Sequence, residues 1–451
     1  MRLTFCGGAQ AVTGANYLLE TSNGKIMIDC GMFQGSHYFE KQNFEKFPYK
    51  PEEISAVFVT HPHVDHIGRL PQLQKAGFQG RVFSTPPAKD AAELLLLDAE
   101  HILREEAIDR GHKPPYEVGD VTRLMGFWQK ISYHEKVKVG DFEVELYNSG
   151  HVLGAASILV KAEGKTIAFS GDLGNMPTPF IRPTEYIPRA DYALIESAYG
   201  SRVHEKSPNR KDLLEDFVEE IVGSGGVLMI PAFALERTQS LIFELNELVE
   251  NKRIPRAPVY IDSPLAIKLT AVYQKYSDNP LYFRPEAIEQ MRQGDGFFNF
   301  PGLHMTLTTE QSKEINNVPP PKIIIAGSGM SNAGRILHHE VRYIPDPKSA
   351  LLIVGFQGQG SLGRQILDGA KTVKILGQTV PVRCKIRSFG GYSAHADQPQ
   401  LLKWVEMMRG SLRKIFVVQG EPTESLSLAQ RIRDDLAVEA EIPKVGESVV
   451  L

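Results

Sequence analysis

The sequence predicts an α/β protein built from two kinds of segment, and three observations support this. Within residues 1–201, short strand patterns alternate with loops rich in His, Asp and Gly. From about Arg202 onward, a strand, loop and helix pattern repeats, as in parallel α/β layers. Residues 388–397 return to a loop of the first type. We therefore predict that 1–201 and 373–451 form one domain and that 202–372 form a domain inserted into it.

Composition sets the frame without choosing a chemistry. The chain of 451 residues is 42% hydrophobic and 23% charged, which is typical of a soluble globular protein with two or three domains. Its three cysteines are too few and too scattered for a disulfide framework, and they favour a reducing cytoplasm. No apolar run approaches the ~20 residues that span a bilayer. The net charge of −4 supplies no global field for nucleic acid, so local cations or metal must hold any polyanion.

Strand patterns in the first segment come directly before most of the residues that carry chemistry. We predict strands at Arg2–Phe5, Asn16–Glu20, Lys25–Ile28, Ala56–Thr60, Arg81–Ser84, Phe142–Tyr147, Ser157–Lys161 and Thr166–Ser170, and one long helix from Ala88 to about Arg110. Because loops at strand ends share an edge of a sheet, we expect these residues to gather on one rim.

The segment from Thr60 to Gly68 contains His61, His63, Asp65 and His66 directly after an apolar strand. Pro62 forbids a helix through the segment, so we expect these side chains on a loop, with His61 and His63 pointing the same way. Imidazole and carboxylate suit zinc, and four ligands within six residues suggest two ions. The alternative is a histidine-rich surface loop.

Three further residues follow strands in the same manner. Asp29 follows Lys25–Ile28, His151 lies in a Ser-Gly-His segment, and Asp172 lies in Ser-Gly-Asp-Leu-Gly. Each alone would be read as a turn or capping residue. Their order along the chain makes coincidence improbable.

In the second segment, four predicted strands lead into loops of small residues. The strands are Val227–Ile230, Val259–Ile261, Lys322–Ala326 and Ala350–Val354, and the loops begin PAFALER, DSPLA, GSGM and GFQGQG. In a parallel sheet such loops collect at one edge, where backbone amides can approach phosphate oxygens. Each glycine loop alone is ordinary turn chemistry.

These motifs together resemble the metallo-β-lactamase superfamily, and within it the β-CASP family of nucleic-acid-processing nucleases, which includes RNase J-like enzymes. The early Asp, the HxHxDH loop, the later His and the strand-end Asp are present in order, followed by Glu196, the insert loops and His395. The resemblance covers almost the whole chain. It implies a metallo-β-lactamase αββα sandwich interrupted by a parallel α/β β-CASP domain.

The resemblance also implies a site. One Zn²⁺ would be held by His61, His63 and His151, a second by Asp65 and His66, and Asp172 would bridge the two ions of each chain. Asp29 would orient a ligating imidazole. His395 would act as general acid with Glu196 as its partner, and Asp65 would share in catalysis. Phosphate contacts would come from Arg237, Ser263, Ser328, Gly329, Met330, Arg335 and Ser393.

The implied function is a zinc-dependent endoribonuclease on single-stranded RNA, with 5′-3′ exonuclease action left open. A two-metal hydroxide mechanism would give 5′-phosphate and 3′-hydroxyl ends. The resemblance also implies a homodimer. The cysteine usage and the lack of a long apolar run favour a cytoplasmic location without a membrane. His338 and His339 are expected to be structural.

One residue departs from the family pattern. Gln419 follows the late strand Lys414–Val418, where RNA-acting members have a metal-ligating histidine and DNA-acting members of one type have valine. An amide oxygen is a poorer zinc ligand, so Gln419 is expected to be a weak one and the second ion to bind weakly. Two alternatives stay open: a small-molecule hydrolase such as a lactonase or thioesterase, and an RNA-binding paralogue with attenuated catalysis.

Overall fold

The structure is a computed structural model that describes residues 1–35, 40–109, 111–204, 210–293, 298–355, 357–358 and 360–451. The chain forms two compact units. The first contains residues 1–178, 182–203 and 395–451, and the second contains 179–181 and 204–394. The predicted division at 1–201, 202–372 and 373–451 stays a prediction about domains.

The first unit contains two seven-stranded sheets. The first sheet has the order β22-β1-β2-β3-β4-β5-β6. Its strands are β1 (Arg2–Gly7), β2 (Asn16–Glu20), β3 (Lys25–Ile28), β4 (Ala56–Phe58), β5 (Arg81–Ser84), β6 (Trp128–Lys130) and β22 (Ser448–Val450). Four helices fall between β4 and β6 along the chain: Val64–Ile67, Leu70–Lys75, Pro86–Asp109 and Val118–Phe127.

The second sheet of this unit has the order β21-β20-β11-β10-β9-β8-β7. Its strands are β7 (Val137–Val139), β8 (Phe142–Asn148), β9 (Ala156–Ala162), β10 (Lys165–Phe169), β11 (Tyr192–Glu196), β20 (Lys414–Val418) and β21 (Ala440–Glu441). Strand β11 pairs in parallel with both β10 and β20. Helices Gln398–Glu406 and Pro422–Leu436 pack on this sheet through Trp404, Leu428 and Ile432, which are buried.

The second unit is built on a six-stranded parallel sheet with the order β14-β13-β15-β12-β16-β19. Its strands are β12 (Val227–Pro231), β13 (Val259–Asp262), β14 (Leu303–Met305), β15 (Lys322–Ala326), β16 (Ala350–Ile353) and β19 (Lys385–Ser388), with a hairpin of β17 (Thr372–Ile375) and β18 (Gln378–Pro381). Helices are Arg210–Gly223, Arg237–Glu250, Pro264–Tyr276, Pro285–Gln293, Thr309–Glu314, Ile336–Tyr343 and Leu362–Leu367.

The sequence of the central strands explains this layering. Strands β12 and β15 are buried at every position, because a parallel sheet covered by helices on both faces needs continuous apolar runs. Strand β8 instead alternates buried and half-buried residues. The predicted strands Lys322–Ala326 and Lys414–Val418 agree with the structure residue for residue.

Two expectations about helices can be compared with the structure. The long helix predicted from Ala88 begins at Pro86 and extends to Asp109, and Arg110 lies outside the described residues. Among the residues that the structure describes, no helix has both the length and the apolar character required to cross a bilayer.

Candidate metal centre

The HxHxDH segment begins at His61, three residues after the end of β4, and its first two imidazoles lie within contact distance of each other. His61 Nε2 and His63 Nδ1 are 3.0 Å apart. The expectation that the whole segment is a loop was wrong, because a short helix spans Val64–Ile67. Pro62 restricts only itself and the residue before it, so a helix can start one residue after His63. Asp65 and His66 therefore lie on a helical turn.

His151 and Asp172 arrive from the second sheet, after β8 and β10, and complete a cluster with His61 and His63. His151 Nε2 is 3.2 Å from His63 Nδ1. Asp172 Oδ2 is 3.4 Å from His61 Nε2 and 3.5 Å from His151 Nε2. Four ligand atoms around a tetrahedral zinc lie about 3.3 Å apart when each is about 2.0 to 2.1 Å from the ion. The four side chains therefore fit a metal ion.

The electrostatics of this cluster also suit a metal ion. Burial lowers the pKa of His61, His63 and His151, and neighbouring imidazoles lower it further. Burial alone would raise the pKa of Asp172, but the imidazoles of His66, His61 and His395 hold it well below its usual range. Metal ligands must be neutral imidazole and ionised carboxylate, and these directions favour both forms.

Asp29 and Thr60 position the imidazoles of the segment. Asp29 Oδ1 accepts from the Thr60 backbone N–H, and Asp29 Oδ2 accepts from the Thr60 hydroxyl, each at 2.8 Å. Asp29 Oδ2 is also 2.8 Å from His66 Nδ1, and the Thr60 hydroxyl is 3.1 Å from His61 Nδ1. A carboxylate on Nδ1 keeps the proton there and turns Nε2 of His66 toward Asp172.

A second group of potential metal ligands joins Asp172 to Glu196 and His395. Glu196 ends β11, is fully buried, and accepts from the Leu173 backbone N–H at 2.6 Å. His395 Nδ1 lies 3.0 Å from Glu196 Oε2 and 3.9 Å from Asp172 Oδ2. The His395 side chain keeps 25% of its surface exposed, so a substrate can reach it.

The charge of His395 follows from these neighbours. Burial alone would lower its pKa, but the carboxylates of Glu196 and Asp172 raise the pKa to about 9. These carboxylates therefore favour the protonated imidazole. Because Nδ1 is held by Glu196, the proton available for transfer is carried on Nε2.

Asp65 and His66 lie beside the first cluster but join neither group of potential ligands found among the described residues. His66 Nε2 is 3.3 Å from Asp172 Oδ1 and 3.8 Å from Asp65 Oδ2. Gln419 is also at this position, with Nε2 3.0 Å from His66 Nε2 and 2.9 Å from Asp172 Oδ1.

The residues predicted to contact phosphate all belong to the second unit. Most lie in loops that follow parallel strands, as expected: Arg237, Ser263, Ser328, Gly329, Met330, Arg335 and Ser393. Ser263 caps the helix Pro264–Tyr276, accepting from the Ala266 backbone N–H. Their phosphate contacts stay a prediction.

Arg335 is bound within its own unit. Its guanidinium donates to Asp262 Oδ1 at 2.8 Å and to the carbonyls of Thr306 and Leu307. His339 Nε2 lies 2.8 Å from Asp262 Oδ2. Asp262 is fully buried, so the Arg335 guanidinium and the hydrogen bond from the His339 ring stabilise its charge. This explains His339 as a structural residue and makes Arg335 a less available phosphate ligand than its sequence position indicates.

Sequence reasoning missed three residues of interest. Thr60 links Asp29 to two imidazoles, and its place beside His61 in the sequence is the signal that could have indicated this role. Tyr17 contacts Gln419 from β2, and no local pattern indicated it. Phe233, inside PAFALER, lies against two glycines of neighbouring loops.

Comparison with known proteins gives three family models along the chain. The metallo-beta-lactamase superfamily model matches residues 11–193, the Beta-Casp domain model matches 238–366, and the Zn-dependent metallo-hydrolase RNA specificity domain model matches 379–443. A crystal structure of a protein of unknown function from Enterococcus faecalis covers 100% of this chain and 99% of that one, with a TM-score of 0.56 and 13% identity. That likeness concerns the fold alone.

Curated relatives match at higher identity. Ribonuclease TTHA0252 of Thermus thermophilus is 37% identical over 432 residues, which is 95% of each chain. Transcription termination factor FttA of Methanosarcina mazei is 31% identical over 97% of this chain and 70% of that protein. Together with the ordered ligand cluster, these matches confirm the resemblance on which the sequence predictions rest. The chain belongs to the β-CASP family of metallo-hydrolases within the metallo-β-lactamase superfamily.

Proposed function

We propose that this protein is a metal-dependent ribonuclease that hydrolyses phosphodiester bonds of single-stranded RNA. One observation carries the proposal: a cluster of three imidazoles and a carboxylate shares Asp172 with a buried glutamate and a partly exposed histidine. Such a constellation can combine electrophilic activation with proton transfer at adjacent atoms. The name of the relative from Thermus thermophilus supports RNA as the substrate.

The first ligand set of the proposed metal centre is His61, His63, His151 and Asp172, and three nitrogen donors with one carboxylate suit zinc. We propose Asp65, His66 and Asp172 for a second zinc. When bound, zinc supplies Lewis-acid polarisation of a phosphate oxygen and activation of water.

The side chains around the proposed metal centre then have separate tasks. Asp29 and Thr60 hold the imidazoles in the tautomer and orientation that ligation needs. His395 carries a proton on Nε2 and can deliver it to the departing 3′ oxygen. Glu196 accepts from Nδ1 of His395 and thereby orients the ring and stabilises its positive charge. The products would carry 5′-phosphate and 3′-hydroxyl ends.

A substrate comparison tests the reaction class. The full chain, incubated with Zn²⁺, is given labelled single-stranded RNA, DNA of matched sequence and a generic lactone. We expect cleavage of RNA with a marked preference over DNA and no turnover of the lactone. Hydrolysis of the lactone alone would favour the small-molecule alternative and contradict the proposal. Binding of RNA without cleavage, with metal present, would favour the attenuated paralogue.

The second unit provides a candidate contact for a base. Phe233 follows β12 and keeps 38% of its surface exposed. A Cβ at Gly329 would come within 2.7 Å of its ring, and one at Gly355 within 3.0 Å, so two glycine backbones support the aromatic side chain from beneath. The Thr238 N–H and hydroxyl both donate to the Phe233 carbonyl and fix its backbone. We infer that this supported ring stacks on a base of single-stranded RNA.

Phe233→Ala should therefore raise KM for a short single-stranded RNA by about 5- to 150-fold, since one stacked base contributes about 1 to 3 kcal/mol. Hydrolysis of bis(p-nitrophenyl) phosphate, which has no base, should be unchanged. Phe233→Trp should restore RNA binding because indole also stacks. Leu281→Ala, at an apolar side chain with 52% exposure in the same unit, is the matched control. Equal losses on RNA and on the base-free ester would contradict a stacking role.

The homodimer stays a prediction from the family resemblance, and the cytoplasmic location stays a prediction from the composition. Light scattering of the purified chain would determine its mass in solution and so test the dimer. A comparison of linear with circular RNA distinguishes endonuclease from 5′-3′ exonuclease action. Only an endonuclease can cleave the circular RNA, because it has no 5′ end.

A further inference from the structure

Gln419 stands where the family pattern has a metal-ligating histidine, and the chain fixes its backbone firmly. It follows β20 directly and is buried. Its N–H donates to the Gly8 carbonyl at 2.7 Å, and its φ of 48° lies in the left-handed region. This hydrogen bond to Gly8, next to β1, fixes the backbone of the turn. The Gln419 side chain then points at His66 and Asp172 of the metal centre.

The nitrogen of the Gln419 carboxamide has two partners there. Nε2 lies 2.9 Å from Asp172 Oδ1 and 3.0 Å from His66 Nε2. An ionised carboxylate can only accept, so the atom facing Asp172 must be the NH₂ group. In the neutral tautomer that carries its proton on Nδ1, bonded to the Asp29 carboxylate, His66 presents a lone pair on Nε2 that can accept the second N–H.

The oxygen of the same carboxamide is also satisfied. Tyr17, a buried residue of β2, donates its hydroxyl to Gln419 Oε1 at 3.3 Å. Turning the amide over would set Oε1 against a carboxylate oxygen, which is repulsive. The orientation with NH₂ on Asp172 and His66 is thus the one that the hydrogen-bond network selects.

We propose that the carboxamide of Gln419 occupies the position where a second metal ion would bind. Asp172 Oδ1 and His66 Nε2 are the atoms that a second ion would need, and the NH₂ group presents its partial positive charge to both. The first ion can bind at His61, His63, His151 and Asp172 Oδ2 without disturbing it. A second ion binds only after the side chain has left. The inference deepens the metal centre of the proposed ribonuclease.

Occupation of the site and weak ligation by Gln419 predict opposite changes in the affinity for the second ion when the side chain is removed. If Gln419 were a poor ligand, removing its side chain would weaken binding of the second ion. If it is an occupant, removing it opens the position between His66 and Asp172 and strengthens binding. Gln419→Ala therefore separates the two interpretations.

The experiment is a Zn²⁺ titration of the metal-free full chain, with bound metal measured by mass spectrometry and Co²⁺ absorption as a second readout. We expect one tightly bound ion in the wild-type protein and two in Gln419→His. In Gln419→Ala the second ion should bind about tenfold more tightly than in the wild type, since hydrogen bonds to charged groups no longer have to be broken. Gln378→His, which adds an exposed histidine on β18, is the matched control and should resemble the wild type.

Two results would overturn the proposal: equal, tight binding of two ions by the wild-type protein, or a second ion that Gln419→Ala binds no more tightly. Retention of the first ion and the thermal unfolding curve report whether each variant folds. Should Gln419→Ala fail to fold, Gln419→Asn replaces it, because its shorter amide cannot span the same partners. No step uses RNA cleavage, so failure of the ribonuclease proposal would leave this result intact.

Discussion

Asp172→Asn should cost the protein both its metal and its hydrolytic activity. Asp172 belongs to both groups of potential ligands, and its two oxygens contact His61, His66, His151 and the amide of Gln419. Asparagine keeps the shape but removes the charge that stabilises an ion there. Loss of an outer-shell partner alone costs about 10- to 100-fold in metal affinity, so loss of this ligand should cost at least about 100-fold.

Metal content after gel filtration and the rate of RNA hydrolysis together check this expectation. Asp434→Asn, which makes the same change at an exposed position of the helix Pro422–Leu436, is the control and should match the wild type in both. A variant at Asp172 that kept its full metal content would show that the first ligand set is assigned wrongly.

His395→Ala is expected to lower kcat by about 10²- to 10⁴-fold while metal content stays at the wild-type level, because general acid catalysis is worth about that much. The imidazole touches the ligand Asp172 only at 3.9 Å, so its loss should leave the ligand set in place. Its role as acid predicts a specific rescue. RNA with a 3′-bridging sulfur at the cleaved bond has a leaving group that needs no proton, and the variant should cleave it nearly as fast as the wild type.

Glu196→Gln should show a smaller version of the same behaviour, since Glu196 acts as a positioning residue through Nδ1 of His395. Rescue by the sulfur substrate would again identify the proton-transfer step. The control is His134→Ala, which removes an exposed imidazole from another carboxylate pair, with Glu145, in the first unit. If the sulfur substrate were cleaved as slowly as ordinary RNA, His395 would have to act on another step.

The sequence predicted the sheets well where one physical rule dominates. The run Ile323–Ala326 is apolar throughout, with prolines before Lys322 and a glycine after Ala326, which favours a buried parallel strand, and the strand Lys322–Ala326 was predicted to the residue. The short helix Val64–Ile67 was not predicted, because Pro62 was expected to exclude a helix from the whole segment. It restricts the backbone of only Pro62 and His61, and the helix starts after it. Four residues are also too few for a periodic pattern to show.

The sequence predicted which residues belong to the metal centre. It did not predict how their side chains are oriented or which distant residues they contact. Each imidazole followed a strand end, so its presence on a rim could be inferred. The orientation of Gln419, however, depends on Tyr17 and Asp172, which are far from it in sequence. The ion pair of Arg335 with Asp262 is equally non-local, and only the folded chain shows that this guanidinium is engaged. Long-range partners of this kind leave no trace in a local pattern.

The parallel pairing of β11 with β20 imposes an order on folding. The two strands, Tyr192–Glu196 and Lys414–Val418, are adjacent in the sheet although residues 204–394, nearly all of the second unit, lie between them along the chain. A ribosome releases Glu196 long before it releases His395 or Gln419, so the nascent chain carries most of the metal ligands while the centre is still incomplete. Closing so long a loop is entropically slow. The complete centre, with His395 and Gln419 in place, therefore forms late, after the histidines of the first segment have been synthesised.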